Sequence, residues 1–124
     1  MSIGAPSAGK GGEVLSDSVT FAHPSERDFA RVLDFYGVAW EYEPRTFVLS
    51  EDEQGKPLEA FSPDFYLVEL DLYIELTTLK QRLVTKKNRK VRELRERYPD
   101  VNVMILYRRD WQNLAVKYGM DSAA

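Results

Sequence analysis

The chain has 124 residues, of which 44% are hydrophobic and 30% are charged, and this length predicts one compact domain. It contains no cysteine and one histidine, which excludes disulfides, thiol nucleophiles and zinc–thiolate sites, so any metal must be held mainly by oxygen. No apolar run is long enough to cross a membrane and the chain does not open on a secretory signal pattern, so we expect a cytoplasmic protein without membrane contact.

The first 19 residues are rich in glycine, serine and alanine and are predicted to be a disordered tail, which leaves residues 20–124 as the single folded domain. Within this tail, residues 4–10 match the spacing of a phosphate-binding loop. Gly11 stands where that loop requires Ser or Thr for magnesium, and no strand precedes it. This segment is therefore not interpreted as a nucleotide site.

A helix is predicted over residues 24–36, with Ser25 as its N-terminal cap and Gly37 as its stop. The preceding His23 is expected to be a surface or capping residue. Glu26 lies three and seven residues before apolar side chains of the same helix, so it is expected to face the buried side. A carboxylate in that position needs a partner.

Four strands are predicted to follow the helix. Residues 38–43 alternate apolar with polar side chains, and residues 46–49 come soon after, so these two strands are expected to pair with each other in antiparallel fashion. The turn-rich residues 51–57 separate them from the next element. Residues 64–67 and 72–77 are interpreted as two more strands with a short connection.

The remaining part of the domain is predicted to contain a helix, a strand and a short final helix. Thr85 is the expected cap of a helix over residues 86–98. Residues 101–107 form a nearly continuous apolar run, typical of a central strand covered on both faces. Asp110 is the expected cap of a helix that ends near residue 118. This order predicts an α/β fold of the mixed α+β type, in which helices flank a mixed central sheet.

Basic side chains are concentrated around the second predicted helix. Residues 80–97 include nine Lys or Arg and two Glu, although the whole chain has a formal net charge of −3. Such a basic surface is typical of a protein that binds a nucleic-acid backbone, and a solvated helix face is the alternative interpretation. Arg108 and Arg109 either extend this surface or belong to a loop. The expected backbone contacts are Lys80, Arg82, Lys86, Lys87, Arg89 and Lys90.

Two acidic residues are the candidates for chemistry. Asp64 begins one predicted strand, and Glu75 lies on the next strand within a strongly apolar sequence. If the two strands are neighbours, both carboxylates lie at one edge of the sheet, where two anions favour a shared cation. Carboxylate oxygens suit Mg²⁺ or Mn²⁺, and such ions polarise a phosphodiester and lower the pKa of bound water. Glu26 is expected to join through water or a second metal ion.

The pair Pro63-Asp64 followed by Glu75-Leu76-Thr77 at the end of a strand resembles the signature of the PD-(D/E)XK, or restriction-endonuclease-like, nuclease superfamily. The predicted order of helices and strands is similar too, and residues 62–67 with residues 98–102 resemble phage junction-resolving and transposition endonucleases. The similarity covers about residues 25–107. It implies a restriction-endonuclease-like core and metal binding by Glu26, Asp64 and Glu75.

The sequence departs from the family pattern at Thr77, which occupies the position of the motif lysine. The family sometimes recruits a lysine from the next helix. Lys87, which is expected on the inward face of that helix, is the first candidate for the missing cation. Lys80 is the second candidate, and Gln81 is a polar substitute.

The resulting hypothesis is a Mg²⁺- or Mn²⁺-dependent endonuclease that hydrolyses DNA, with Glu26, Asp64, Glu75 and either Lys87 or Lys80 at its active site. Cutting of both strands would favour a homodimer. The main alternative is a nucleic-acid-binding or assembly module that keeps the nuclease fold without catalysis, and Thr77 motivates it. A phosphoribosyltransferase or other nucleotide enzyme is a third possibility, but the phosphate loop that it needs is missing.

Overall fold

A computed structural model describes residues 15–78 and 84–111 of the protein and has an α+β fold. Ser16, within the predicted tail, is buried, and its backbone N–H donates to Asp34 Oδ2 at 3.0 Å. In chain order the structure contains a short 3-10 helix (Leu15–Asp17), helix α1 (Pro24–Phe35), strands β1 (Trp40–Tyr42), β2 (Phe47–Glu51), β3 (Pro57–Phe61), β4 (Phe65–Leu67) and β5 (Leu72–Thr77), helix α2 (Thr85–Arg97) and strand β6 (Val103–Tyr107).

The strands form one mixed sheet and one hairpin. The sheet has four strands in the order β1-β4-β5-β6, and β2 pairs with β3 to form the hairpin. The pairs β1–β4 and β4–β5 are antiparallel, whereas β5 and β6 are parallel. The predicted mixed sheet and the strand over residues 72–77 are confirmed. No helix within the described residues has the length and hydropathy needed to cross a bilayer.

Helix α1 is present as predicted, but a different residue caps it. His23 has an extended backbone, and its Nδ1 accepts a hydrogen bond from the backbone N–H of Ser25 at 3.1 Å. Ser25 lies inside the helix, so its prediction as the cap is wrong. Pro24 occupies the first turn, where its missing N–H costs nothing. The chain leaves the helix through Gly37, whose φ of +70° favours glycine.

The predicted pairing of the first two strands is wrong. Strand β1 pairs with β4 along the chain from Trp40↔Leu67 to Tyr42↔Phe65, and β2 belongs to the hairpin. Its partner β3 was not expected from the sequence because most of its side chains are exposed and it begins with a proline. Glu43 has a φ of +46°, and its backbone N–H bonds to Asp64 O, so the chain turns away from the sheet after β1.

Both faces of the central strand β5 are buried, and the hydrophobic core therefore has two parts. On β5, Ile74 and Leu76 face the part beneath α1, whereas Tyr73 faces the part beneath α2 and the hairpin. The first part also contains Phe29, Ala30, Val32, Leu33, Trp40, Phe65, Leu67 and Trp111, and the second contains Phe47, Leu49, Phe61, Val91, Leu94 and Val103.

Three predictions for the later part of the chain are corrected. Thr85 is the first residue of α2 and Val84 is the capping position, where no side chain makes a capping bond. Strand β6 lies at an edge of the described four-stranded sheet, with Met104 38% exposed, so it is not a central strand covered on both faces. Residues 108–111 are helical, so Asp110 lies within the helix instead of capping it. The predicted end of that helix lies outside the described residues.

Candidate metal centre

The centre begins with two buried carboxylates on neighbouring strands. Asp64 directly precedes β4, and Glu75 lies in β5. The antiparallel register Phe65↔Ile74 places Asp64 opposite Glu75, and cross-strand partners project from the same face of a sheet. Only 8% of Asp64 and 7% of Glu75 is exposed. The structure therefore brings together the two acids that the sequence singled out.

The backbone of Leu76 connects this acidic pair to helix α2. Its N–H donates to Asp64 Oδ2 at 2.9 Å, and its carbonyl oxygen accepts from Lys87 Nζ at 2.6 Å. The same Nζ lies 3.1 Å from Glu75 Oε2. Lys87 thus points toward the core, as its spacing from Val91 predicted. Its ammonium group lies beside the glutamate of the candidate motif, where Thr77 supplies no positive charge.

One oxygen of the pair has ligand capacity to spare. Glu75 Oε1 is buried and has no hydrogen-bond partner among the described residues. A buried carboxylate oxygen without a donor is costly, and a cation would satisfy it. Two adjacent carboxylates are also the ligand type that Mg²⁺ and Mn²⁺ prefer. Asp64 and Glu75 therefore fit a divalent ion of this class.

The electrostatics of the pair favour the binding of a cation. Burial, followed by the charge of Glu75, raises the pKa of the Asp64 carboxyl to about 8, although the Leu76 N–H opposes the shift. Burial also raises the pKa of Glu75, and the Lys87 ammonium group opposes that shift. Both carboxyls thus hold protons more tightly than exposed acids, and a divalent cation would compete with those protons.

Glu26 is buried as expected, with 9% exposed, but its carboxylate already has partners. Its Oε1 accepts from the Tyr42 hydroxyl at 2.5 Å and from the Ala22 N–H at 3.2 Å. Its charge contributes to the raised pKa of Asp64. Within residues 15–78 and 84–111, no group of three or more acidic or histidine side chains is arranged to hold one metal ion. Glu26 therefore does not join Asp64 and Glu75 as a ready third ligand.

Tyr42 is a site residue that the sequence did not identify. It lies in β1, and its ring packs against Phe65 and Phe21. Its hydroxyl, however, donates to Glu26, and burial together with this bond raises the pKa of the phenol. Glu26 and Tyr42 are 16 residues apart and lie on different elements, so no local sequence pattern indicates this contact.

The basic residues expected to contact nucleic acid are not equivalent. Arg89 donates to Glu59 on the hairpin and to Glu93 on its own helix, with N–O distances of 2.7 and 2.8 Å. Lys86 is exposed, and neither it nor Lys90 forms an ion pair with a described residue. Lys80, Arg82 and Gln81 lie outside the described residues.

Comparison of the chain with protein-family models, curated proteins and solved structures gives no match. An assignment of the centre therefore depends on its own geometry and chemistry. The relevant geometry is the buried pair Asp64 and Glu75, the Glu75 oxygen that no described residue contacts by a hydrogen bond, and the adjacent ammonium group of Lys87.

The raised pKa of Asp64 predicts how the stability of the metal-free protein depends on pH. The stabilisation from the neutral Asp64 carboxyl is fully present below its ordinary pKa of 3.8 and is lost as the pH rises toward 8. An Asp64→Asn variant keeps the acceptor for Leu76 N–H but carries no charge. Relative to wild type in chelator, we expect it to gain at least about 1.4 kcal/mol of unfolding free energy between pH 5 and pH 8.

Urea unfolding of both proteins in chelator at several pH values measures this difference. Asp71→Asn is the matched control, since Asp71 is an exposed turn acid whose positive φ asparagine also tolerates. If the unfolding free energies of the wild type and of Asp64→Asn differ by the same amount at every pH in this range, the prediction is wrong.

Proposed function

We propose that the protein is a Mg²⁺- or Mn²⁺-dependent endonuclease of the PD-(D/E)XK type that hydrolyses phosphodiester bonds in DNA. The observation that carries this proposal is the buried pair Asp64 and Glu75 beside the Lys87 ammonium group, in which Glu75 Oε1 has no hydrogen-bond partner in the described part of the chain. A buried pair of acids destabilises a protein unless a cation, a donor or a proton compensates its charge, and such pairs are frequent at functional sites.

Asp64 and Glu75 would hold the ion in this proposal. When bound, the ion supplies polarisation of the phosphodiester and a lower pKa for a water molecule. The strand pairing fixes the positions of both carboxylates, and the Leu76 N–H orients the Asp64 carboxylate. Preorganised ligands of this kind need no rearrangement before reaction.

Lys87 would supply the positive charge that the motif position itself lacks. In the resembling family the lysine lies two residues after the glutamate on the same strand, which is the position of Thr77. Here Lys87 lies on α2, and its Nζ is 3.1 Å from Glu75 Oε2. An ammonium group at this point would stabilise negative charge on the attacking or leaving oxygen. Lys80 remains the second candidate, outside the described residues.

Glu26 would act indirectly, through a water molecule or a second ion. Tyr42 and Ala22 hold its Oε1, which leaves Oε2 to bind a water molecule or a second ion. Two ions about 3.5–4 Å apart are a known arrangement in nucleases. The exposed part of α2, with Lys86 and Lys90, would contact the DNA backbone, and a homodimer would allow both strands to be cut.

Cleavage of supercoiled plasmid and of a four-way junction, with Mg²⁺, Mn²⁺ or chelator, tests the proposal directly. We expect nicked or linear products with either metal and none in chelator. Calorimetric titration with Mn²⁺ measures the ion independently of catalysis, and analytical ultracentrifugation measures the dimer. A folded protein that binds Mn²⁺ but cuts no DNA or RNA substrate would contradict the assignment as a nuclease.

That outcome would favour the second candidate function, a catalytically inactive nuclease-fold module that binds nucleic acid or assembles with other proteins. Thr77 and the contacts of Lys87 support this alternative. Because Lys87 Nζ is already bonded to Leu76 O and Glu75, it could serve only to neutralise the buried glutamate. DNA binding that is unaffected by Asp64→Ala, without cleavage, is the expected property of such a module.

A further inference from the structure

The end of the sheet at which β5 and β6 finish carries the acidic pair and also two arginines. Strands β5 and β6 are parallel and in register from Tyr73↔Val103 to Thr77↔Tyr107. Arg108 and Arg109 follow β6 directly, so they lie at the end of the sheet where β5 also ends, a short distance beyond Glu75 and Thr77. At about 3.3 Å per residue, Arg108 begins roughly 10 Å along the sheet from the level of Glu75.

These two arginines differ from Arg89 and Arg97 of α2 in having no acidic partner among the described residues. Arg89 and Arg97 are neutralised by Glu59 and Glu51 of the hairpin. Arg108 and Arg109 are exposed, and neither forms an ion pair with a residue in the part of the chain that the structure describes. Two cations that face the hairpin are thus paired with acids, whereas Arg108 and Arg109 are exposed and have no ion pair within the described part of the chain.

The backbone that carries the arginines is fixed by a buried anchor. They lie in the helical segment 108–111, and Trp111 at its end is 2% exposed. The Trp111 ring lies 5.7 Å from that of Phe29 in the core beneath α1. A cation on anchored backbone loses less conformational entropy on binding than one on a mobile segment.

Helix α2 also places a cation near the acidic pair, and this cation has no ion pair with a described residue. Lys86 is exposed in the first turn of α2, next to Lys87, whose ammonium group contacts Glu75. Cations from α2 and from the end of β6 therefore both lie near the edge that carries Asp64 and Glu75. A chain of regularly spaced anions that crosses this edge would meet positive charge on both elements.

We propose that Arg108 and Arg109 form, with Lys86, a surface that binds backbone phosphates close to the phosphodiester bond at the acidic pair. This inference rests on the proposed function and specifies which residues hold its polyanionic substrate. Phosphate contacts of this kind set the position of the nucleic acid without reading its sequence. Each contact releases counterions, so it contributes a fixed part of the salt dependence of binding.

The test compares two double variants in an Asp64→Asn background, in which DNA is expected to be bound without being cut. One carries Arg108→Ala and Arg109→Ala. The other is a matched control with the same charge change, Arg31→Ala and Lys56→Ala, both exposed residues on α1 and next to the hairpin turn. Fluorescence anisotropy with a duplex oligonucleotide at several salt concentrations gives the slope of log K against log salt for each protein.

We expect the slope to become shallower by about 1.8 in the Arg108/Arg109 variant, because each lost phosphate contact on duplex DNA removes about 0.9. The control should keep the parental slope, and circular dichroism checks that both variants are folded. Equal slopes in the two variants, or a parent protein that does not bind DNA, would overturn the proposal that this surface binds phosphates. A shallower slope combined with no cleavage by the wild type would overturn the proposed hydrolysis and support the surface.

Discussion

Replacing Asp64 with asparagine is expected to lower metal-dependent DNA cleavage by roughly 1,000-fold or more, equivalent to about 4 kcal/mol of transition-state stabilisation. Asparagine is nearly isosteric and still accepts the Leu76 N–H, which lies 2.9 Å from Asp64 Oδ2. What disappears is the negative charge that would hold the ion. Initial rates on plasmid at saturating Mg²⁺, compared between wild type and variant, measure the effect.

The same substitution is expected to stabilise the metal-free protein. This distinguishes a loss of catalysis from a loss of folded structure. Asp64 is buried opposite Glu75, and burial raises its pKa to about 8, so its charged form is disfavoured near neutral pH. Removing the charge removes that penalty, a trade between stability and activity that is common at active sites. A variant that loses cleavage while its melting temperature in chelator rises has lost function, not structure.

Glu75→Gln should lose cleavage to a similar extent and also weaken Mn²⁺ binding, because no described residue donates a hydrogen bond to Glu75 Oε1. Asp71→Asn serves again as the control and should cut at the wild-type rate. Retention of more than about a tenth of the wild-type rate by Asp64→Asn would contradict the proposal, since a lost metal ligand typically costs far more than this.

The sequence predicted the acidic pair because the signals involved are local. Asp64 and Glu75 lie on strands with a short connection, and such strands usually pair as antiparallel neighbours. The inward direction of Lys87 follows from its position one turn before the buried Val91. Short-range periodicity therefore contained most of the information needed to assemble this centre.

The parts that could not be predicted depend on contacts between distant segments. The pairing of β1 with β4 excludes the closer β2, and the turn at Glu43 that causes this leaves no strong mark in the sequence. Strand β3 was missed because its exposed residues lack the alternation of a half-buried strand. The neutralisation of Arg89 by Glu59, thirty positions away, likewise requires the hairpin to be in place.

Replacing Lys87 with methionine is expected to lower cleavage by about 100-fold while the protein still binds Mn²⁺, because a stabilising charge at a reacting centre is typically worth that much. Methionine preserves most of the buried stem, so the substitution mainly removes the ammonium group that lies 3.1 Å from Glu75 Oε2. Lys86→Met, one residue earlier and exposed, is the control for the charge change and should affect DNA affinity more than the rate at saturating DNA.

The pH profile of the Lys87→Met variant gives a second readout. The Lys87 charge lowers the pKa of Glu75 against the effect of burial, so its removal should raise that pKa further. If cleavage requires the Glu75 carboxylate, the acidic limb of the rate profile should then move to higher pH. An unchanged rate and an unshifted limb in Lys87→Met would contradict a role for this lysine in the chemistry. The missing cation would then have to come from another residue, with Lys80 as the next variant to measure.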